Sequence, residues 1–371
     1  MLGATFSTLQ MTGNFLVGPS ALFPGLQDDI GEIARSGLLS TSHRSGTFSS
    51  MSQNVIESLR AFLKVPSGWR IFYTTSATSA MEICLRNGIM QKSCHVSSGA
   101  FGEKWEKMAR QIGLQTQHFQ SEFGKRFEIE QITPDGESEG IFLTANETST
   151  AAAFSNAEIS QLAQNFPEKL ICVDATSCAG AMEFDLERID CFLFSVQKCF
   201  GMPPGLGFVL CSPRFFAKAQ EKESAGRDVG TFCSLSAMWG KMDGKFQTTQ
   251  TPPILQIALF GKLLEKLLAR FGTVTGAEQF TREKSAALWD FFSAAGSLTP
   301  FVENAKHRGH TTIVVRGDES VVARAKAACL ENGIQLAGGY GNTKPHCFRV
   351  ANFLVHEQAD HEKIFQVLAD F

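Results

Sequence analysis

The chain has 371 residues, long enough for one large domain with a smaller one appended. Hydrophobic residues make up 43% and charged residues 19%, and the formal net charge is −3, which speaks against nucleic acid or an anionic membrane as partner. The ten cysteines scatter through apolar runs (Cys84, Cys172, Cys191, Cys329) with no Cys-x-x-Cys pair, as expected of reduced thiols in a cytoplasmic protein rather than a disulfide framework.

Met1 to Gln10 has neither a basic n-region nor a long apolar core, so no secretory signal is expected. No apolar stretch approaches bilayer-spanning length. Residues 14–25 are turn-rich, and such a segment is usually mobile unless it lines something. A short helix follows over 28–36. The polar loop Ser40 to Gly46 sets His43 beside Arg44, which reads either as an anion clamp or as an ordinary exposed loop. Apolar spacing over 49–64 predicts an amphipathic helix.

Arg70 to Thr74 reads as a strand. The small residues Thr75 to Thr78 then open a helix that runs to about Gly88. Amides at such a start lack internal partners and suit a phosphate, although N-capping by Thr75 or Ser76 needs the same geometry. Strands are expected at His95–Ser98, Gln115–Phe119, Ile141–Thr144 and Lys169–Val173, with helices at 103–113 and 156–166. This alternation predicts a mainly parallel sheet with ligands outside its carboxyl ends.

Asp174 stands at one such end. Lys198 stands at another, after the apolar run Cys191 to Phe194 and before a loop with three glycines and two adjacent prolines. Buried lysine is costly unless it is used, so Lys198 reads as an amine held to form a Schiff base with a carbonyl cofactor. The alternative is a loop lysine in solvent. Next come a strand at 207–211, a helix at 213–220 and a polar connection over 226–251 without clear periodicity. A long helix follows from Pro252 to Phe271. The remainder reads as a small α+β domain: helices at 278–295, 320–332 and 357–370, and strands at Thr311–Val315 and Phe348–Asn352. His307-x-x-His310 has no carboxylate or cysteine cluster nearby, so no metal site is expected.

An amine, an acid, a flat group and phosphate donors are what pyridoxal phosphate requires of a protein. Lys198 and Asp174 supply the first two. Phe101 offers a stacking face, Ala77 and Thr78 offer amides, and Thr148 and Gln197 offer hydrogen bonds to the ring oxygen and the phosphate.

With Asn14-Phe15, Gly18-Pro19, Ser42-His43-Arg44, Asn146-Glu147-Thr148, Val173-Asp174, Gln197-Lys198, Gln250-Thr251-Pro252-Pro253, Gly339-Tyr340-Gly341 with Lys344, and Phe348 to Phe353, the chain resembles the class V aminotransferases of the fold-type I pyridoxal phosphate family. His43-Arg44 points to their phosphoserine branch. The resemblance implies an α/β fold: a large cofactor domain, 14–255, whose mainly parallel sheet is sandwiched by helices, and a smaller α+β C-terminal domain, 256–371. It implies small amino-acid and 2-oxo-acid substrates, with no nucleic acid or membrane partner. It also implies a homodimer with shared active sites, in which Gln250 and Thr251 reach the phosphate of the partner's cofactor. Arg349 would hold the α-carboxylate, and His43 and Arg44 the distal anion. Serine at Val17 and a Gly-His-Arg near 333–340, common in that branch, are absent, and Lys344 is the expected substitute as a point charge. The alternatives are an alanine- or serine-glyoxylate type of the same family, or a non-catalytic relative.

Overall fold

The computed structural model describes residues 13–294 and 296–371. Met1 to Gln10, read above as free of a secretory signal, lies outside the described residues. The chain opens with β1 (Gly13–Phe15), α1 (Leu26–Arg35), α2 (Gly46–Leu63), β2 (Arg70–Thr74), α3 (Ala77–Gly88), β3 (Lys92–Ser97), α4 (Ala100–Gln111) and β4 (Gln115–Gln120). It continues with β5 (Gly140–Thr144), α5 (Asn156–Asn165), β6 (Leu170–Asp174), β7 (Cys191–Ser195), β8 (Gly207–Cys211), α6 (Pro213–Ser224), α7 (Leu235–Met242) and α8 (Ile254–Phe271). Last come α9 (Val274–Ala294), β9 (Thr299–Pro300), β10 (Thr312–Arg316), α10 (Glu319–Glu331), β11 (Ile334–Gly338), β12 (Cys347–Ala351) and α11 (Gln358–Leu368).

Seven strands form the main sheet in the order β2-β8-β7-β6-β5-β3-β4. Only β8 runs against the others. The central strands β5, β6, β7 and β8 are apolar runs because both faces are covered, while the edge strand β4 is polar and only partly buried. Ile71, Tyr73, Ile141, Leu143, Ile171, Val173, Phe192 and Phe194 point to one face, in one core with α2, α5 and α8. Phe72, Phe142, Cys172, Leu193 and Val209 alternate with them and face α3, α4, α6 and α7.

The second sheet has the order β1-β11-β12-β10-β9. Helices α10, α11 and the end of α9 cover it through Leu288, Phe292, Val322, Cys329 and Ile364. Packing divides the chain differently from the boundary expected between 255 and 256. Helix α8 buries Leu259, Phe260, Leu263 and Leu267 in the main core beside α1 and α2. Strand β1 crosses to the second sheet, where Gly13, Asn14 and Phe15 pair in parallel with Ile334, Gln335 and Leu336. The region read as unpatterned, 226–251, contains α7. That helix is too short for its buried Leu235, Met238 and Met242 to register as a period. Among the described residues no helix is long and apolar enough to cross a membrane.

Candidate active site

The carboxyl ends of β2, β3, β6 and β7 lead to one cavity of about 280 Å³, lined by Gly18, Pro19, Ser76, Ala77, Thr78, Met81, Phe101, Lys104, Asp174, Thr176, Ser195, Gln197, Lys198 and Pro204. The turn-rich segment near the N-terminus is ordered because it straps the lysine loop. Ser20 N–H donates to the Gln197 carbonyl at 2.9 Å, Phe23 N–H donates to Gly201 O at 2.8 Å, and Ser20 Oγ donates to Lys198 O at 2.8 Å. Gly201, with φ 62°, is required there: a Cβ would lie 3.0 Å from Phe23 N and 3.1 Å from Ala21 O.

Lys198 is 7% exposed, so the solvent alternative is excluded. Its Nζ donates to Thr148 Oγ1 at 2.7 Å and to Ser177 Oγ at 2.9 Å, and it lies 4.8 Å from the centre of the Phe101 ring. Burial pushes its pKa down, and the carboxylates of Asp174 and Glu147 oppose that shift. That shift moves the amine toward the free-base form that nucleophilic or proton-transfer chemistry needs. Asp174 shifts the opposite way: burial raises its pKa, while hydrogen bonds from Thr176 and the charge of Lys198 hold it down. Its Oδ1 accepts the Thr176 N–H at 2.9 Å.

At the start of α3, Ser76 Oγ accepts the Ser79 N–H at 3.1 Å, and Ser79 Oγ accepts the Ser76 N–H at 3.1 Å. Capping is therefore real. It leaves the amides of Ala77 and Thr78, which line the cavity, without a partner among the described residues. Ser195 Oγ and Gln197 Oε1 are also buried without a hydrogen-bond partner. These orphaned groups all belong to cavity-lining residues, the pattern expected where a polar ligand completes the bonding. Phe101, from the first turn of α4, also lines the cavity, with Tyr340 packed on it at 5.4 Å between ring centres. Arg349 reaches in from β12. Its Nε donates to Gly338 O at 2.7 Å and its Nη1 to Thr148 O at 3.2 Å.

The structure thus brings together Lys198, Asp174, Ala77, Thr78, Phe101, Thr148 and Gln197, with Arg349 adjoining through Thr148. Within one chain it does not bring in His43, Arg44, Gln250, Thr251 or Lys344, none of which lines this cavity. Lys344 is exposed at the end of a short turn, Gly341–Thr343. Arg44 instead donates to Thr248 O at 2.6 Å and to Gln247 Oε1 at 3.3 Å, so His43-Arg44 and 247–251 form a single surface patch. His307 and His310 diverge: His307 Nε2 lies 2.7 Å from Glu128 Oε1, while His310 Nε2 is buried without a hydrogen bond.

Several residues of the site were not anticipated, Ser195 and Thr176 among them. Ser177 holds the lysine. Lys104 lines the cavity. Tyr340, read only as part of a motif, covers Phe101. Glu147, fully buried, accepts the amides of Phe101 at 3.0 Å and Gly102 at 3.1 Å through Oε2, and Ser149 N–H at 3.0 Å through Oε1, so it fixes the start of α4. The adjacency Glu147-Thr148 was the available signal for that last role.

A family model described as aminotransferase class-V matches residues 26–354. The phosphoserine aminotransferase of Nocardioides sp. strain JS614 is 27% identical over 360 residues, 96% of this chain and 94% of its own. That of Rhodococcus opacus strain B4 is 26% identical over 339 residues, 91% of this chain and 87% of its own. Among solved structures, a phosphoserine aminotransferase from Cytophaga hutchinsonii superposes with a TM-score of 0.90 at 29% identity, covering 95% of this chain and 97% of its own.

Proposed function

The chain belongs to the class-V aminotransferases, and from that premise we propose that it is a pyridoxal-phosphate-dependent phosphoserine aminotransferase of serine biosynthesis. It moves an amino group between glutamate and 3-phosphohydroxypyruvate, giving 2-oxoglutarate and O-phosphoserine. The observation that carries the reading is the buried Lys198 amine, held by two hydroxyls in a cavity shared with Asp174 and faced by Phe101.

Pyridoxal phosphate fits the residues present, because the orphaned Ser195 hydroxyl, the Gln197 amide and the open start of α3 match a phosphate. A half-turn of the Gln197 amide presents its NH₂ in place of the unpartnered oxygen. When bound, the cofactor supplies an electron sink for the pair left when a substrate Cα–H bond breaks. Asp174 would pair with the proton of the ring nitrogen, Phe101 would offer the stacking face, and Thr148 would give a hydrogen bond to the ring oxygen. Lys198 would serve as the general base that takes the proton from the substrate Cα and then as the general acid that gives it back. Arg349 holds the α-carboxylate with the N–H groups it does not give to Gly338 and Thr148.

His43 and Arg44 take the distal anion, phosphate or the glutamate side chain. Because Arg44 is tied to the 247–249 backbone and this patch lies off its own cavity, we assign His43, Arg44, Gln250 and Thr251 to the cavity of a second copy in a homodimer. A cytoplasmic location belongs to the same reading, supported by cysteines that are all unpaired and nearly all buried.

The test is a coupled assay of the purified protein with phosphoserine and 2-oxoglutarate, set against alanine and serine with glyoxylate. Faster turnover of the unphosphorylated pair would move the protein to the glyoxylate type. A colourless protein that takes up no pyridoxal phosphate would refute an enzymatic role.

A further inference from the structure

Three charged side chains line the cavity: Asp174, Lys198 and Lys104. The proposed function engages the first two at the ring end, one against the ring nitrogen and one as the reactive amine. A phosphate dianion at the other end then has neutral donors around it: the α3 amides, Ser195 and Gln197. The stretch Thr75 to Thr78 contains no arginine or lysine. Of the full charges with which this chain itself lines the cavity, the one left is Lys104.

Lys104 stands three residues after Phe101 in the first turn of α4, a spacing that puts both side chains on the same side of the helix. Its Nζ donates to Thr78 Oγ1 at 2.8 Å, which parks the ammonium over the start of α3, beside the unpartnered amides of Ala77 and Thr78. Among the described residues no carboxylate lies within ion-pair distance of it. Its neighbour Glu103 turns away and accepts from Gln120 Nε2 at 2.9 Å. An independent sign of a ligand at this end is Ser195, 2% exposed, whose hydroxyl lines the cavity with nothing to bond.

We propose that Lys104 is the cation of the phosphate end of this cavity, reaching across from α4 to neutralise the anion that the α3 amides cradle. This rests on the reading of the cavity as a pyridoxal phosphate site. It explains how a phosphate cup built of Thr, Ser and Ala, with no basic residue of its own, suffices: the charge comes from the helix that also carries the ring-stacking Phe101. Held by one hydroxyl, the ammonium swings from Thr78 to a phosphate oxygen without breaking an ion pair.

The experiment is equilibrium titration of the cofactor-free protein with pyridoxal phosphate and, separately, with pyridoxal, which lacks the phosphate. Lys104→Gln removes the charge and keeps a hydrogen-bond donor on a side chain one atom shorter. Its Kd for pyridoxal phosphate should rise about tenfold, the scale of one charge-assisted hydrogen bond at a solvent-accessible site. Its Kd for pyridoxal should not change, and the salt dependence of pyridoxal phosphate binding should flatten. Lys104→Arg should restore wild-type binding. Equal weakening of both aldehydes, or a Lys104→Gln protein that binds pyridoxal phosphate like wild type, overturns the assignment while leaving the cofactor reading intact. Wild-type protein that binds neither aldehyde overturns both.

Discussion

Arg349 gives the most quantitative test of the substrate geometry. A guanidinium has five N–H donors. Here Nε is committed to Gly338 O at 2.7 Å and one Nη1 hydrogen to Thr148 O at 3.2 Å. The fork is thereby locked in direction, and Nη2 with the second Nη1 hydrogen remains for a carboxylate. Each charge-assisted hydrogen bond is worth about 1.5–3 kcal/mol. Arg349→Lys retains one such bond at best and loses the backbone anchors, so about 2 kcal/mol of transition-state binding should go, roughly 30-fold in kcat/KM. Arg349→Ala loses both, about 3–6 kcal/mol, or roughly 10²–10⁴-fold. The assay is steady-state kcat/KM with phosphoserine, paired with inhibition by phosphoethanolamine, which is phosphoserine without its carboxylate. The phosphoethanolamine inhibition constant should be the same in wild type and in both variants. If Arg349→Ala weakens phosphoethanolamine as much as phosphoserine, the residue shapes the site and does not hold the carboxylate.

Other expectations concern the amine, the dimer and stability. Lys198→Ala should abolish transamination, and Arg44→Ala should lose turnover with phosphoserine but not with alanine. Mixing the two inactive proteins under subunit exchange should restore phosphoserine turnover, since one cavity of each hybrid dimer is then intact; no recovery would place Arg44 in its own chain's cavity. Burial lowers the His356 pKa from 6.5 to about 4. The unfolded chain therefore takes up this proton first, and stability contributed by the neutral ring is lost as pH falls from about 6.5 to about 4, at roughly 1.4 kcal/mol per pH unit. The urea midpoint should follow, and His356→Gln should remove one proton from that dependence; an unchanged slope counts against it. At Gly99 a Cβ would abut Ser149 Oγ and lie 2.7 Å from Glu147 Cγ, so Gly99→Ala should cost about 1–3 kcal/mol in thermal stability; an unshifted melting temperature would show that the Glu147 network yields freely.

How much of this was legible in the chain depends on the range of the forces involved. Asp174 and Lys198 were readable because each ends an apolar run, and such runs arise where a parallel sheet is buried on both faces. The helices with sustained apolar spacing were readable for the same local reason. Strands β1 and β11 were not: they are short, they pair with each other across more than 300 residues, and nothing local distinguishes Ile334 to Gly338 from a connection. Ser177 looked like any turn serine, because its value comes from Lys198 folding over it. Lys104 has the sequence context of a solvated helix lysine, and only the approach of α3 to α4 gives it another role. The link between Arg44 and residues 247–249 likewise exists only after folding, although both segments could be named from the chain.

Two buried carboxylates act on the Lys198 amine, and their hydrogen bonds separate their roles. Glu147 has its oxygens filled by the amides of Phe101, Gly102 and Ser149 and by the Ser149 hydroxyl. Burial still raises its pKa against those bonds, and it does not line the cavity. It acts by fixing the start of α4, and with it the plane of Phe101. Asp174 is different: Thr176 takes Oδ1, and Oδ2 has no protein partner among the described residues although the side chain lines the cavity. A buried carboxylate with one open oxygen is costly without a positive partner. Lys198, whose Nζ is bonded to Thr148 and Ser177, does not donate to it. In the proposed function this open oxygen, on the cavity side, is the one that would accept a cationic ring N–H, whereas Glu147 could only position Phe101.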